Sequence, residues 1–214
     1  LTVSSDLYSF NLKRIFSRKS PVDLAADTSQ RVLTIPLFPP TSSPQTYFLK
    51  LELRDRDGKY LSSNFYWLSN KPPVFNWNRT TYVRTEATSY EDLTMLERLP
   101  SVKLKVTANL EKASGGEVTV RLRNPGKHLA FQTRLAIDDA GGNEVLPVFW
   151  SDNYTELMPG ESKTITARYP AWNALSNEAK LEVSGWNIEP LTIALSSSHD
   201  EASNRESALP KARR

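Results

Sequence analysis

The chain has 214 residues with 27 Lys and Arg against 24 Asp and Glu, a net charge of +3; the length admits one large domain or two small ones, and so slight a cation surplus argues against a nucleic-acid binder, which needs clustered cations to displace counterions from phosphate. With no Cys, disulfides, thiol catalysis and Cys-ligated zinc are excluded together. No run of about 18 apolar residues predicts a membrane-spanning helix, and the 24% of charged residues matches a globular composition.

Two-residue alternation dominates the chain. The segment LTVSSDLYSF already reads as strand, with no basic region leading into an apolar one, so any secretion signal of the parent is expected outside this chain. RVLTIPL at residues 31–37 is the next candidate strand. TYFLKLEL then sets Tyr47, Leu49, Leu51 and Leu53 on one face, and GKYLSSNFYWL covers residues 58–68. Residues 70–88 begin with Pro-Pro, lack clean alternation and carry Phe75, Trp77 and Tyr82, which predicts an aromatic-anchored linker. Ser89 is the expected cap of a two-turn helix with Glu91 and Asp92 in its first turn, Leu93, Leu96 and Leu99 on one side, and Pro100 as its stop.

Beyond Pro100, VKLKVTANL places Val102, Leu104, Val106, Ala108 and Leu110 on one face. Further strands are expected at residues 117–124, 129–138, 144–150, 162–169 and 180–186. Turn chemistry falls between strands at Asp55-Arg56-Asp57-Gly58, Ser114-Gly115-Gly116, Asp139-Ala140-Gly141-Gly142-Asn143 and Pro159-Gly160, the last suited to a type II turn. Short strands at this spacing predict an all-β chain of two immunoglobulin-like antiparallel β-sandwiches. The expected division is a partial sandwich over residues 1–70, a linker with a short helix over 71–100, a second sandwich over 101–195 and a polar tail over 196–214. Only about four strands fit before Leu68, where a free-standing sandwich uses about seven; the first module is therefore expected to be incomplete, and the chain to be a fragment or processed subunit.

Few residues suggest chemistry. Glycoside hydrolysis needs two carboxylates facing each other, but Asp55/Asp57, Glu91/Asp92 and Asp138/Asp139 fall in turns or a cap, where Asp holds backbone amides. Asp55 to Gly58 resembles the start of a calcium loop without the bidentate Glu that completes one. His128 and His199 have no second imidazole nearby in sequence and form no metal set. No Gly-rich phosphate loop is present, and no cofactor is indicated. Of the aromatics, Trp67, Trp150 and Trp186 at strand ends read first as core or interface residues, and second as sugar platforms. Trp77 and Trp172, in irregular sequence, read as anchors of a domain contact. Asn78 and Asn153 head glycosylation sequons.

The segments PVFWSDNYTELMPGES, RNPGKHLAFQTRLAI and GWN, with VDLAADTSQRVLTIP, YFLKLELRDRDGKYLSSNFYWLS and SYEDLTMLERLP upstream, together resemble the C-terminal β-sandwich region of glycoside hydrolase family 2, in its exo-β-D-glucosaminidase and β-mannosidase branch. The resemblance covers about 190 residues and leaves out the tail, whose basic end LPKARR does not fit the family pattern. It implies a large secreted or lysosome- or vacuole-like parent whose paired catalytic glutamates sit on a (β/α)₈ barrel. A barrel takes about 250 residues of alternating strand and helix, so no catalytic residue carries over. The positions that do carry over are Trp150, Ser151, Asp152, Asn153 and Tyr154, which look more like a structural loop than reacting groups; Trp150, Asp152, Asn153 and Tyr154 are the candidate substrate contacts. The implied partners are the barrel and other parent domains, in the same polypeptide or as a separate subunit, with oligosaccharide as a further candidate and neither nucleic acid nor membrane. Two rival readings are an independent carbohydrate-binding module and a purely structural immunoglobulin-like pair. A coplanar pair of exposed aromatics would favour the former.

Overall fold

Alternating apolar residues pair into antiparallel sheets throughout the computed structural model, which describes residues 1–36, 45–111, 116–169 and 179–195. The chain divides into two compact units, Leu1–Leu99 and Pro100–Arg214.

The first unit holds a four-stranded antiparallel sheet, in the order β2-β1-β3-β4, of β1 (Thr2–Ser9), β2 (Arg14–Pro21), β3 (Thr46–Arg54) and β4 (Tyr60–Ser69). Leu7 lies opposite both Phe16 and Leu49, and Leu7, Tyr47 and Leu49 form a small core with Phe16, Ile35, Leu51 and Leu68 against it. The other face of β3 is buried too: Phe48 is fully enclosed, with the rings of Phe10 at 6.2 Å and Phe65 at 5.7 Å. Turn chemistry between β3 and β4 is as expected, since Asp55 Oδ1 accepts from the amides of Asp57 and Lys59 and Gly58 takes φ +82°.

Three expectations for this unit change. Residues 31–36 form no strand; Ile35 inserts into the small core while Pro36 offers no N–H to a ladder, and Leu37 lies outside the described residues. The place expected for that strand is taken by β2, whose sequence RIFSRKSP has weak alternation and only one buried side chain. The expected linker of residues 70–88 carries strand structure, because β5 (Val74–Asn76) and β6 (Glu86–Ser89) pair as a hairpin around a 3-10 turn at Trp77–Arg79. Phe75, Trp77 and Tyr82 are exposed on it. The expected helix shrinks to a 3-10 turn at Thr94–Arg98. Ser89 ends β6 instead of capping the helix, Asp92 takes the Thr94 amide and hydroxyl at 3.0 and 2.7 Å, and Leu99 is already extended before Pro100.

The second unit is an antiparallel sandwich of two four-stranded sheets. One, in the order β10-β12-β8-β7, contains β7 (Lys105–Glu111), β8 (Glu117–Arg123), β10 (Phe149–Trp150) and β12 (Ser162–Arg168). The other, in the order β11-β9-β13-β14, contains β9 (Ala130–Asp138), β11 (Thr155–Leu157), β13 (Lys180–Ser184) and β14 (Leu191–Ala194). Val118, Val120, Leu122, Ile165 and Ala167 of the first sheet have no exposed surface and share one cluster with Ala130, Leu135, Ile137, Leu157, Leu181 and Val183 of the facing sheet. Burying each large aliphatic side chain contributes about 1.5–3 kcal/mol, so this core carries the unit. The turn at Pro159-Gly160 closes as expected, with Gly160 at φ +80° and the Glu161 amide on the Met158 carbonyl at 3.0 Å.

Two expected strands are shorter than their sequence pattern. Val102 makes only an isolated parallel bridge to Ile188, and β7 begins at Lys105. In residues 144–150 only Phe149–Trp150 is strand; Leu146–Pro147 is cis, and Glu144 forms an isolated bridge to Asp138. Trp172, His199 and the tail lie outside the described residues.

Candidate functional site: the loop from Trp150 to Tyr154

The loop joins β10 in one sheet to β11 in the other, and each residue in it holds a different part of the sandwich. Trp150 pairs with Ala167 of β12 and packs, half-buried, against the core, while its neighbour Phe149 faces solvent. Ser151 extends the ladder with both its groups: its amide donates to the Thr166 carbonyl at 2.8 Å and its Oγ accepts from the Thr166 amide at 2.9 Å. Asp152 is ion-paired to Lys163. Lys163 shares the inward register of β12 with Ile165 and Ala167, and its ammonium also donates to Thr155 Oγ1.

Asn153 is the central piece. Its Oδ1 accepts from the Leu135 amide at 2.8 Å and its Nδ2 donates to the Leu135 carbonyl at 2.9 Å, so one side chain satisfies both backbone groups of a β9 residue. The same oxygen accepts from the Tyr154 amide at 2.9 Å. Further along β9 the Ile137 carbonyl accepts from Val145 at 2.8 Å, and at its start β11 pairs through Thr155 with Thr133 and Leu157 with Ala130. The β9 edge is thus closed in turn by a strand, an asparagine side chain and a loop amide, and an unpaired edge is what invites unwanted strand addition.

Two non-glycine residues here adopt positive φ, Gln132 and Tyr154, both at +52°. At Gln132 the register shifts: three steps along β9 match two along β11. This bulge lets Ala130 and the out-of-phase pair Leu135 and Ile137 all join the core. Gly185 fits against it; a Cβ there would lie 2.8 Å from the Gln132 carbonyl and 2.6 Å from Ile188 Cγ1. Gln132 in turn donates to Glu156 Oε1 at 2.9 Å.

Electrostatics follow from this crowding. Burial pushes the Glu156 carboxyl up to about 7, and Asp152 adds to the rise while Gln132 and Lys163 pull against it. Burial works against the Arg134 charge, yet Glu144 at 2.8 Å, the Tyr154 hydroxyl and Glu182 together hold its pKa above the ordinary value. Asp139 and Asp92 are held below the ordinary value, Asp139 mainly by the Asn143 amide and Asp92 mainly by the Thr94 hydroxyl, which is the turn-holding role expected of them. Among the described residues, no group of three or more His, Asp or Glu is arranged to hold a metal ion.

Trp150, Asp152, Asn153 and Tyr154 therefore do come together, but Trp150 faces the core, Asp152 is neutralised by Lys163 and Asn153 is committed to backbone. Tyr154 alone of the four is exposed. The two sequons also differ. Asn78 stands exposed on the 3-10 turn, whereas the nitrogen that would carry a glycan at Asn153 is bonded to Leu135 and the sequon's Thr155 is buried. Sequence reasoning missed Gln132, Arg134, Glu156 and Lys163. It also missed two further asparagine clamps. Asn124 donates to the His128 and Leu157 carbonyls at 2.8 and 2.9 Å, and Asn187 donates to those of Pro100 and Leu129 at 2.7 and 2.8 Å while accepting from the Phe131 amide at 2.9 Å. The available signal was an Asn directly after strand sequence in RNPG and GWN.

Comparison with known proteins gives two family matches, an exo-beta-D-glucosaminidase Ig-fold domain over residues 82–188 and a mannosidase Ig/CBM-like domain over residues 1–71. An exo-beta-D-glucosaminidase of Arthroderma benhamiae is 41% identical over 143 residues, which are 66% of this chain and 16% of that protein. One from Amycolatopsis orientalis is 32% identical over 199 residues, 90% of this chain and 19% of that protein. The crystal structure of the Amycolatopsis orientalis exo-chitosanase CsxA superposes with a TM-score of 0.74 at 30% identity, covering 90% of this chain and 23% of that one. The chain thus spans 16% to 19% of the length of these curated relatives.

Proposed function

Since this chain belongs to the exo-beta-D-glucosaminidase Ig-fold domain family, we propose that it is the non-catalytic immunoglobulin-like portion of a retaining exo-β-D-glucosaminidase and buttresses a catalytic barrel carried elsewhere in the same polypeptide. The observation that carries the reading is the match of 90% of this chain to 23% of a solved exo-chitosanase chain. The local chemistry agrees with it. Described carboxylates such as Asp55, Asp92, Asp139 and Asp152 hold turns or a lysine, where retaining hydrolysis needs an acid and a nucleophile about 5 Å apart on rigid elements. A support needs rigidity, which the enclosed core and the asparagine clamps provide.

The parent's substrate on this reading is a β-linked glucosamine chain attacked from its end. We further propose that the parent is secreted or resident in a lysosome- or vacuole-like compartment. Exposed Asn78 in an Asn-Arg-Thr sequon supports this, because such glycans are added to surface loops of secreted proteins. Assay of the homogeneous chain and of the full-length protein on an aryl β-D-glucosaminide tests the main reading. The full-length protein is expected to turn the substrate over and the chain alone to be inert; turnover by the chain, abolished by Glu156→Gln, would overturn it.

A further inference from the structure

We infer that the β5–β6 hairpin is the docking element that seats this chain against another domain of its own parent polypeptide; the inference rests on the support role proposed above and names the surface that performs it. Six of the sixteen exposed large apolar side chains among the described residues fall between residues 74 and 90: Val74, Phe75, Trp77, Tyr82, Val83 and Tyr90. Trp77 is 70% exposed, Val83 85% and Tyr82 fully so. No residue of this stretch is buried, and only Asn76, Glu86 and Ala87 are half-buried.

The hairpin has little to hold it by itself. Its strands have three and four residues, with a register shift between Val74 and Phe75. A two-stranded ribbon without a covered face is marginal in water. Its ion pair, Arg79 to Glu86 at 3.0 Å, joins an exposed guanidinium to a half-buried carboxylate at the surface and contributes little. Further ties are local, among them Thr88 Oγ1 to the Val74 carbonyl at 3.1 Å and the Thr81 amide to the Arg84 carbonyl at 2.8 Å. An apolar element of this kind reaches its full stability when its side chains are covered.

Three observations select the occupant. First, this chain covers only 16% to 19% of the relatives it matches, so in a parent of that length further domains would be tethered to the hairpin. Tethering supplies an effective concentration in the millimolar range that a separate partner would have to exceed. Second, the patch has the make-up of a protein interface, with aromatic and aliphatic residues and Arg79, Arg84 and Glu86 beside them. Third, the rings of Phe75 and Trp77 lie 5.5 Å apart but tilted by 55°, so they do not offer the flat pair on which successive sugar rings stack. Val74, Phe75 and Trp77 lie between the two family-matched stretches, and Tyr82, Val83 and Tyr90 at the start of the second.

Hydroxyl-radical footprinting of the full-length protein, read by mass spectrometry at Trp77 and Tyr82 in native and urea-unfolded samples, tests the inference. The expected result is at least about tenfold slower labelling of both residues in the native protein, as for side chains in an interface core. Labelling within about twofold of the unfolded rate would show a free surface and overturn it. Protection that vanishes on dilution would assign the patch to a second copy, and protection that appears only with glucosamine oligosaccharide would assign it to sugar; either overturns it. In the same protein, combined Trp77→Ala and Tyr82→Ala should lower the temperature of thermal unfolding while leaving kcat/KM at 25 °C unchanged, and an unaltered unfolding temperature would count against it. Footprinting needs no activity, so a full-length protein inert on glucosaminides would sink the support role, whereas an active enzyme with a labelled hairpin would sink this inference alone.

Discussion

Asn153→Ala tests whether the loop is a structural closure. The side chain makes three hydrogen bonds of 2.8 to 2.9 Å, two of them to the amide and carbonyl of Leu135 on β9. Each is worth about 1 kcal/mol net, and a backbone group left unpaired where water enters poorly costs more than one that hydrates freely. The Leu135 groups are partly buried, so the summed loss is about 2–3 kcal/mol. At about 4 °C per kcal/mol for a domain of this size, the melting temperature should fall by roughly 8–12 °C. Equilibrium urea unfolding followed by circular dichroism gives the free energy, and hydrogen exchange gives the site: the Leu135 amide should exchange at least about tenfold faster, while amides of the opposite sheet in β8 change less. Stability within about 0.5 kcal/mol of wild type, with Leu135 exchange unchanged, would refute the clamp. A variant whose only change is the loss of an N-glycan from the intact mass would instead return Asn153 to its sequon.

Trp150→Ala should cost about 2 kcal/mol, roughly half the penalty for a fully buried large aromatic, because the ring is half-buried against the core; unchanged urea unfolding with loss of oligosaccharide binding would favour a sugar platform. Gly185→Ala should cost about 2–3 kcal/mol through overpacking against the β9 bulge, and Gly142→Ala, at φ +81° in open space, only about 1 kcal/mol; equal losses in parallel unfolding curves would show that close approach is not what selects Gly185. For Glu156, the folded carboxyl titrates near 7 against an ordinary 4.5, so the folded state holds the extra proton between those values and stability falls as pH rises through that window. Glu156→Gln should therefore be more stable than wild type at pH 8 by about 1–2 kcal/mol, allowing for solvent screening, with the gap closing at pH 4; unfolding curves with a gap independent of pH would exclude Glu156 as the titrating group.

What the sequence determined by itself was everything carried by neighbours two to four residues apart. Alternation at residues 47–53, 117–123 and 162–168 dictated strands, and Asp55 with Gly58, Asp139 with Gly142 and Pro159 with Gly160 dictated turns, because each contains its own hydrogen-bonding and φ requirements. The ordered segments around PVFWSDNYTELMPGES were enough to point to the family. Tertiary structure alone decided the rest. The apolar run of residues 31–36 found no ladder while the weakly alternating β2 did; Phe48 became core on a second face, and the Gln132 bulge reversed the parity of β9. Asn153 reaches Leu135 across 18 residues and Asn187 reaches Leu129 across 58, and the Glu156 carboxyl is displaced by burial that no local pattern encodes. A pattern of period two states which side chains share a face, but which backbone lies opposite that face, and which polar group must satisfy it, depends on chain that is distant in sequence and adjacent only once the sheets have packed.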